Sequence, residues 1–126
     1  MYFTKENIKN KKITIIGLKK SGYSAAILAY NFGAEVFVSD CEDDNYTRIN
    51  YDRLVKKGIK CEIGKHSKRI FNSNFWVISP GVPKDIDIIH KAEKLNIPII
   101  GEIEFASKFT NKPIVAVTGS NGKTTT

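Results

Sequence analysis

Sulfur and histidine are scarce in this chain, which limits the chemistry it can carry. Its 126 residues include two cysteines, one methionine and two histidines. Cys41 and Cys61 have neither metal-ligand nor redox-motif spacing, which predicts reduced thiols in a cytoplasmic protein. His66 and His90 stand alone in polar surroundings and are expected on the surface. No apolar run approaches the roughly 18–20 residues that cross a bilayer. The opening MYFTKENIKNKK is polar and basic with no apolar stretch behind it, so no secretory signal is expected. Repeats and low-complexity tracts are also missing. Acidic residues are outnumbered, 13 to 20, giving a net charge of +7 that favours anionic partners. The lysines are scattered rather than set in a stripe interleaved with aromatics, so neither nucleic acid nor a membrane is an expected partner.

What remains is 41% hydrophobic and 26% charged, a globular composition of a size for one domain and the start of a second. Short apolar runs alternate with helical patterns, the signature of a parallel sheet with crossover helices. Residues 13–16 do not alternate and read as a strand buried on both faces. Residues 21–32 follow as a helix with Ala25, Ala26, Leu28, Ala29 and Phe32 on its apolar side, stopped by Gly33. A second strand at 35–39 ends on Asp40, and a second helix at 51–57 is closed by Gly58. Residues 59–63 alternate and predict a weaker, partly exposed strand. Residues 75–79 form a fourth strand, with Phe75 and Trp76 in the core. A helix at 85–95, a strand at 97–100 and a short helix or linker at 102–109 complete the first unit. This predicts an α/β fold with a mostly parallel five-stranded sheet. Near residue 101 a new unit begins, and its strand at 113–118 leads into the loop TGSNGKTTT.

Three short segments at strand ends carry candidate chemistry. Gly17, Leu18, Lys19, Lys20, Ser21 and Gly22 connect the first strand to its helix. The segment resembles the dinucleotide fingerprint G-x-G-x-x-G with Lys19 in the middle glycine position. That glycine lets backbone approach a pyrophosphate, so its loss argues against ordinary NAD or FAD binding but not against phosphate at the helix start. A tight strand-to-helix turn without a ligand is the plainer alternative. Asp40 ends the second strand 18 residues after Gly22 (40 minus 22), where an acid can accept from ribose hydroxyls or a base N–H, or simply cap a helix. Ser79, Pro80 and Gly81 follow the fourth strand; they can be a plain turn, or can bring the Gly81 amide to the ligand crevice.

The terminal loop has the order that nucleotide triphosphates require. An apolar strand feeds Gly119, Ser120, Asn121 and Gly122, then Lys123, Thr124 and Thr125. Glycines let amides approach phosphate and the lysine offsets charge. The helix that would complete such an anion site is not among the 126 residues.

Val117 stands where the common G-x-x-x-x-G-K-[ST] loop has its first glycine, and in this the loop resembles that of the Mur ligases. These are the ATP-dependent amino-acid-adding enzymes of peptidoglycan synthesis. Asn121 differs from the histidine typical of the L-alanine-adding members. GLKKSG, SPGVP and GEIEF together resemble the D-glutamate-adding members, in order and over essentially the whole chain. The resemblance implies a Rossmann-like domain over residues 1–100 that holds the UDP part of UDP-N-acetylmuramoyl-L-alanine. Residues 101–126 would then be a linker and the start of the ATP-binding domain. Lys20, Ser21, Asp40 and Cys41 would surround uracil and ribose, while the first turn and Gly81 would offer amides to the diphosphate. Cys41 replaces a hydroxyl residue of some relatives, and Lys19 replaces a small residue, adding charge near the phosphates. Gly119 to Thr125 would wrap ATP, with Lys123 catalytic on the β/γ-phosphates and Thr124 or Thr125 near Mg²⁺. The family reaction turns the substrate carboxylate into an acyl phosphate that the D-glutamate amine displaces. The acidic magnesium ligands and the D-glutamate domain are not among these residues, so the chain alone is expected to be inactive. A free-standing NAD-type sensing module is the alternative.

Overall fold

A computed structural model describes residues 8–82 and 86–108. Along them run β1 (Lys12–Ile16), α1 (Lys20–Asn31), β2 (Glu35–Asp40), α2 (Asn45–Lys56), β3 (Lys60–Ile63), a 3₁₀ turn (Lys68–Phe71), β4 (Phe75–Ile78), α3 (Asp87–Lys94), β5 (Ile99–Gly101) and α4 (Glu102–Ser107). The strands form one sheet in the order β3-β2-β1-β4-β5, parallel at every pairing. The five-stranded α/β architecture expected from the alternating pattern is therefore present. The expected strand at 113–118 and the loop after it lie outside the described residues.

β1 is apolar on both faces because it is central. Ile13 and Ile15 pack with Ala25, Ala26 and Ala29 of α1, where the small side chains let helix and sheet approach closely. Ile16 points to the other face and joins Ile70, Trp76, Ile89 and Ala92. Polar groups that enter this core are satisfied. Thr14 Oγ1 and Trp76 Nε1 both donate to the Ile70 carbonyl, at 3.3 and 2.7 Å. The 3₁₀ turn, which the sequence pattern did not announce, thus seals the α3 side of the sheet.

α2 begins at Asn45, six residues before the expected start at 51. The cause is a capping box: Asp44 Oδ1 accepts from the Thr47 amide at 2.8 Å, and Thr47 Oγ1 accepts from the Asp44 amide at 3.0 Å. This satisfies amides that a polar first turn would otherwise leave bare. The third strand is the sheet edge and only half-buried, as its alternation implies. α4 packs back on the first core, with Phe105 fully buried and its ring 6.2 Å from that of Phe75.

The register decides where function can sit. Ile16 lies beside Ser39 on one flank and Ile78 on the other. The C-terminal ends of β1, β2 and β4 are therefore level, and the three candidate segments leave the sheet at the same rim.

Candidate functional site

From β1 the chain moves outward to β2 and β3, then returns to the opposite flank of β1 as β4. The loops after β1 and β4 consequently diverge, opening a crevice at the carboxyl ends of the strands. A cleft of about 360 Å³ occupies that place. Gly17, Lys19, Lys20, Ser21, Asp40, Cys41, Ser79, Pro80 and Gly81 line it, so the three predicted segments converge. Leu18 and Gly22 do not line it. Both are buried.

The first loop is held from several sides. Gly17 has φ +108°, a region that side chains rarely enter, and a Cβ there would meet Ser79 Oγ at 2.7 Å. A Cβ on Gly22 would lie 1.7 Å from the Gly17 carbonyl oxygen, so helix and strand can meet only across glycine. The Gly17 amide donates to the Ser39 carbonyl at 2.9 Å, and the Ser79 amide to the Ile16 carbonyl at 3.1 Å. Both polar atoms of Leu18 are clamped: its N–H donates to Asp40 Oδ2 and its carbonyl accepts from Asn50 Nδ2, each at 2.8 Å. Asp40 Oδ1 accepts the Glu42 amide at 2.8 Å. Asp40 is thus a structural tie between two loops; each oxygen keeps a second acceptor direction for a ligand. It caps no helix, since that role falls to Asp44.

Charge is distributed unevenly along the rim. Lys19, expected to add charge near phosphate, lines the cleft, pairs with Glu42 at 3.1 Å and lies 3.8 Å from Asp44. The Glu42 hydrogen bond, with its charge, raises the Lys19 ammonium above its ordinary value. Lys20 has no ion-pair partner among the described residues. It opens α1, whose first turn has no acidic residue and whose N-cap makes no side-chain hydrogen bond. This helix start faces the cleft as an anion-receptive end. On the β4 side, Ser79 Oγ is buried with no partner among the described residues. A Cβ on Gly81 would meet nothing within 4 Å, so that backbone is open to approach.

His66 corrects the expectation of a surface histidine. It is half-buried, lines the cleft and lies with Nδ1 2.7 Å from Ser39 Oγ. Burial pushes its imidazole below the ordinary 6.5, against the raising fields of Asp40 and Glu62. His90 is exposed as expected, 3.9 Å from Glu93. Cys41 is an exposed free thiol on the cleft wall, whereas burial pushes the Cys61 thiol up to about 12. The sequence reading missed Asn50 and His66. Neither carries a local signal, because their partners stand 32 and 27 positions away.

No group of three or more His, Cys, Asp or Glu among the described residues could hold a metal ion. No described helix is long and apolar enough to cross a membrane. The predicted ATP-binding residues Gly119, Ser120, Asn121, Gly122, Lys123, Thr124 and Thr125, with Thr124 as the metal-site candidate, lie outside the described residues. The described rim combines open backbone, a helix N-terminus, an orphan hydroxyl and a carboxylate. That set suits holding an anionic, hydroxyl-bearing ligand.

Comparison with known proteins agrees with this geometry. The family model for the N-terminal domain of MurD-like Mur ligases matches residues 11–101. The UDP-N-acetylmuramoylalanine–D-glutamate ligase of Chloroherpeton thalassium is 44% identical over 123 residues, covering 97% of this chain and 26% of that protein. The enzyme of the same name from Koribacter versatilis is 43% identical over 121 residues, covering 95% and 27%. The chain therefore spans about a quarter of the length of these curated relatives. Among solved structures, the UDP-N-acetylmuramate–alanine ligase of Thermotoga maritima superposes with a TM-score of 0.64 over 79% of this chain and 23% of its own. At 24% identity it speaks for the fold alone. Matched over residues 11–101, with the expected sheet and loops in place, the chain belongs to the MurD-like Mur ligases as their N-terminal domain.

Proposed function

We propose that this chain is the UDP-binding front end of an ATP-dependent ligase that adds D-glutamate to UDP-N-acetylmuramoyl-L-alanine in cytoplasmic peptidoglycan synthesis. The observation that carries the reading is the convergence of the loops at Gly17, Asp40 and Ser79 on one cleft, in a chain of this family. Lys20, Ser21, Asp40 and Cys41 would border uracil and ribose. The diphosphate would meet the α1 N-terminus, the Gly81 amide and the Ser79 hydroxyl. Lys20, with no ion-pair partner among the described residues, and Lys19, paired with Glu42, would offset the diphosphate charge.

The domain division belongs to the same proposal. Residues 1–100 would form the nucleotide layer, and 101–126, of which α4 still packs on that layer, would form the linker and the start of the ATP-binding domain. Gly119 to Thr125 would cradle ATP, with Lys123 on its β/γ-phosphates and Thr124 or Thr125 beside Mg²⁺. The bound cation would offset the phosphate charge that gathers when a carboxylate is activated. The described residues supply binding and orientation rather than bond-making.

Titration of the 126-residue chain with UDP and with NADH tests the reading against the sensing module. UDP is expected to bind the more tightly, and tighter NADH binding would sink the proposal. With substrate, ATP and D-glutamate supplied together, the chain alone is expected to release no phosphate.

A further inference from the structure

The Ser39–His66 contact fixes a tautomer, and the tautomer gives the cleft a specific chemical preference. Ser39 Oγ has three polar neighbours: Glu62 Oε2 at 2.7 Å, the Lys65 carbonyl at 3.3 Å and His66 Nδ1 at 2.7 Å. Its single hydrogen cannot serve all three. A carbonyl only accepts, and an ionised carboxylate only accepts. Burial works to raise the Glu62 carboxyl, but hydrogen bonds from Ser67 and Ser39 and the charge of Arg69 outweigh it and hold it below its ordinary value. Glu62 is therefore ionised at neutral pH, and the Ser39 hydrogen is directed to it and toward the Lys65 carbonyl. What Ser39 presents to His66 is a lone pair, so Nδ1 of the imidazole must carry the proton. A neutral ring protonated at Nδ1 has a bare Nε2.

We propose that His66 is a hydrogen-bond acceptor for the nucleoside part of a ligand in this cleft, presenting unprotonated Nε2 to a ligand hydroxyl or ring N–H. The inference rests on the reading of the cleft as a uridine-nucleotide site and assigns it a recognition residue beyond the loops already described. The ring lines the cleft together with Asp40, and its Nδ1 is occupied by Ser39. The charged groups around it are Asp40 at the end of β2, Glu62 on β3, and Lys19, Lys20 and Glu42 on the cleft rim. With its imidazole held below the ordinary value by burial, the acceptor form persists at neutral pH.

A long-range ¹H–¹⁵N spectrum of the ligand-free chain reads the tautomer directly: Nδ1 protonated and Nε2 bare is the expected result, and the opposite assignment overturns the inference. Calorimetric titration with UDP then compares the wild type with His66→Phe and His66→Gln, each checked for a native amide spectrum. Loss of one ligand hydrogen bond is expected to weaken UDP binding by about 5- to 10-fold in the Phe variant. The Gln variant, whose amide oxygen can accept at similar reach, is expected to recover part of it. The penalty should vanish with one of 2′-deoxy-, 3′-deoxy- or N3-methyl-UDP, which identifies the donor; a penalty kept by all three overturns the inference. On acidification the ring takes a second proton and stops accepting, so the Phe penalty should shrink. A penalty that grows would mark a cation on the diphosphate and overturn it too. If the wild type does not bind UDP, the reading of the cleft fails as well. If wild type and Phe variant bind equally, only the role of His66 fails.

Discussion

The loop after β1 and the loop after β4 face each other across one cleft, yet they are built on opposite plans. In the first, the Gly17 amide and both polar atoms of Leu18 have buried partners within 2.9 Å, and two glycines permit an approach that no other residue allows. In the second, the Ser79 hydroxyl is buried without a partner among the described residues and the Gly81 backbone stands open. A buried hydroxyl lacking a partner costs about 1–3 kcal/mol, a cost that a ligand accepting from it would relieve. The contrast separates two jobs. One loop is fixed in advance so that its shape does not change, and the other keeps an unused donor for what arrives.

Substitutions can break this comparison, and the largest effect belongs to Gly22→Ala. The added methyl would collide with backbone rather than with a flexible side chain, so α1 must move off β1. The expected cost exceeds about 3 kcal/mol, within the range of severe core disruption. A thermal midpoint close to wild type would show that the first loop is not fixed as described. Asp40→Ala comes next. It strips the acceptor from the Leu18 and Glu42 amides and should cost about 2–4 kcal/mol in denaturant unfolding. A loss below about 0.5 kcal/mol would mean that water replaces the carboxylate freely. Ser79→Ala should be the smallest effect and opposite in sign: removing a buried hydroxyl that has no partner among the described residues should raise stability by about 1 kcal/mol while UDP binding weakens a few-fold. Unchanged UDP affinity in that variant would erase the distinction between the two loops.

Much of the fold was legible because its central strands are extreme. The run at 13–16 is apolar without alternation, as a strand covered on both faces must be, and the alanines at 25, 26 and 29 mark the helix face against it. α2 was placed too late because NYTRIN offers no apolar stripe. Its start is written instead in the reciprocal pairing of Asp44 with Thr47, a polar signal readable three residues apart. The three site segments could be found because each follows a strand end. Asn50 and His66 could not. Asn50 looks like an ordinary polar helix residue until the fold brings it to Leu18. His66, in the loop after β3, gains its character from Ser39 on β2, so no spacing within its own segment announces it. Lys19 could be named as a cation of the cleft from its position, but not its pairing, because Glu42 and Asp44 arrive from the next loop.

α4 has a mechanical consequence. The short helix follows β5 directly and inserts Phe105 into the same apolar layer that holds Phe75 and α1. Extracting that ring would cost on the order of 3–5 kcal/mol. Any swivel between the nucleotide layer and the sequence after it therefore has its pivot past Phe105. The helix travels with the sheet, and a ligand seated at the strand ends stays in step with it.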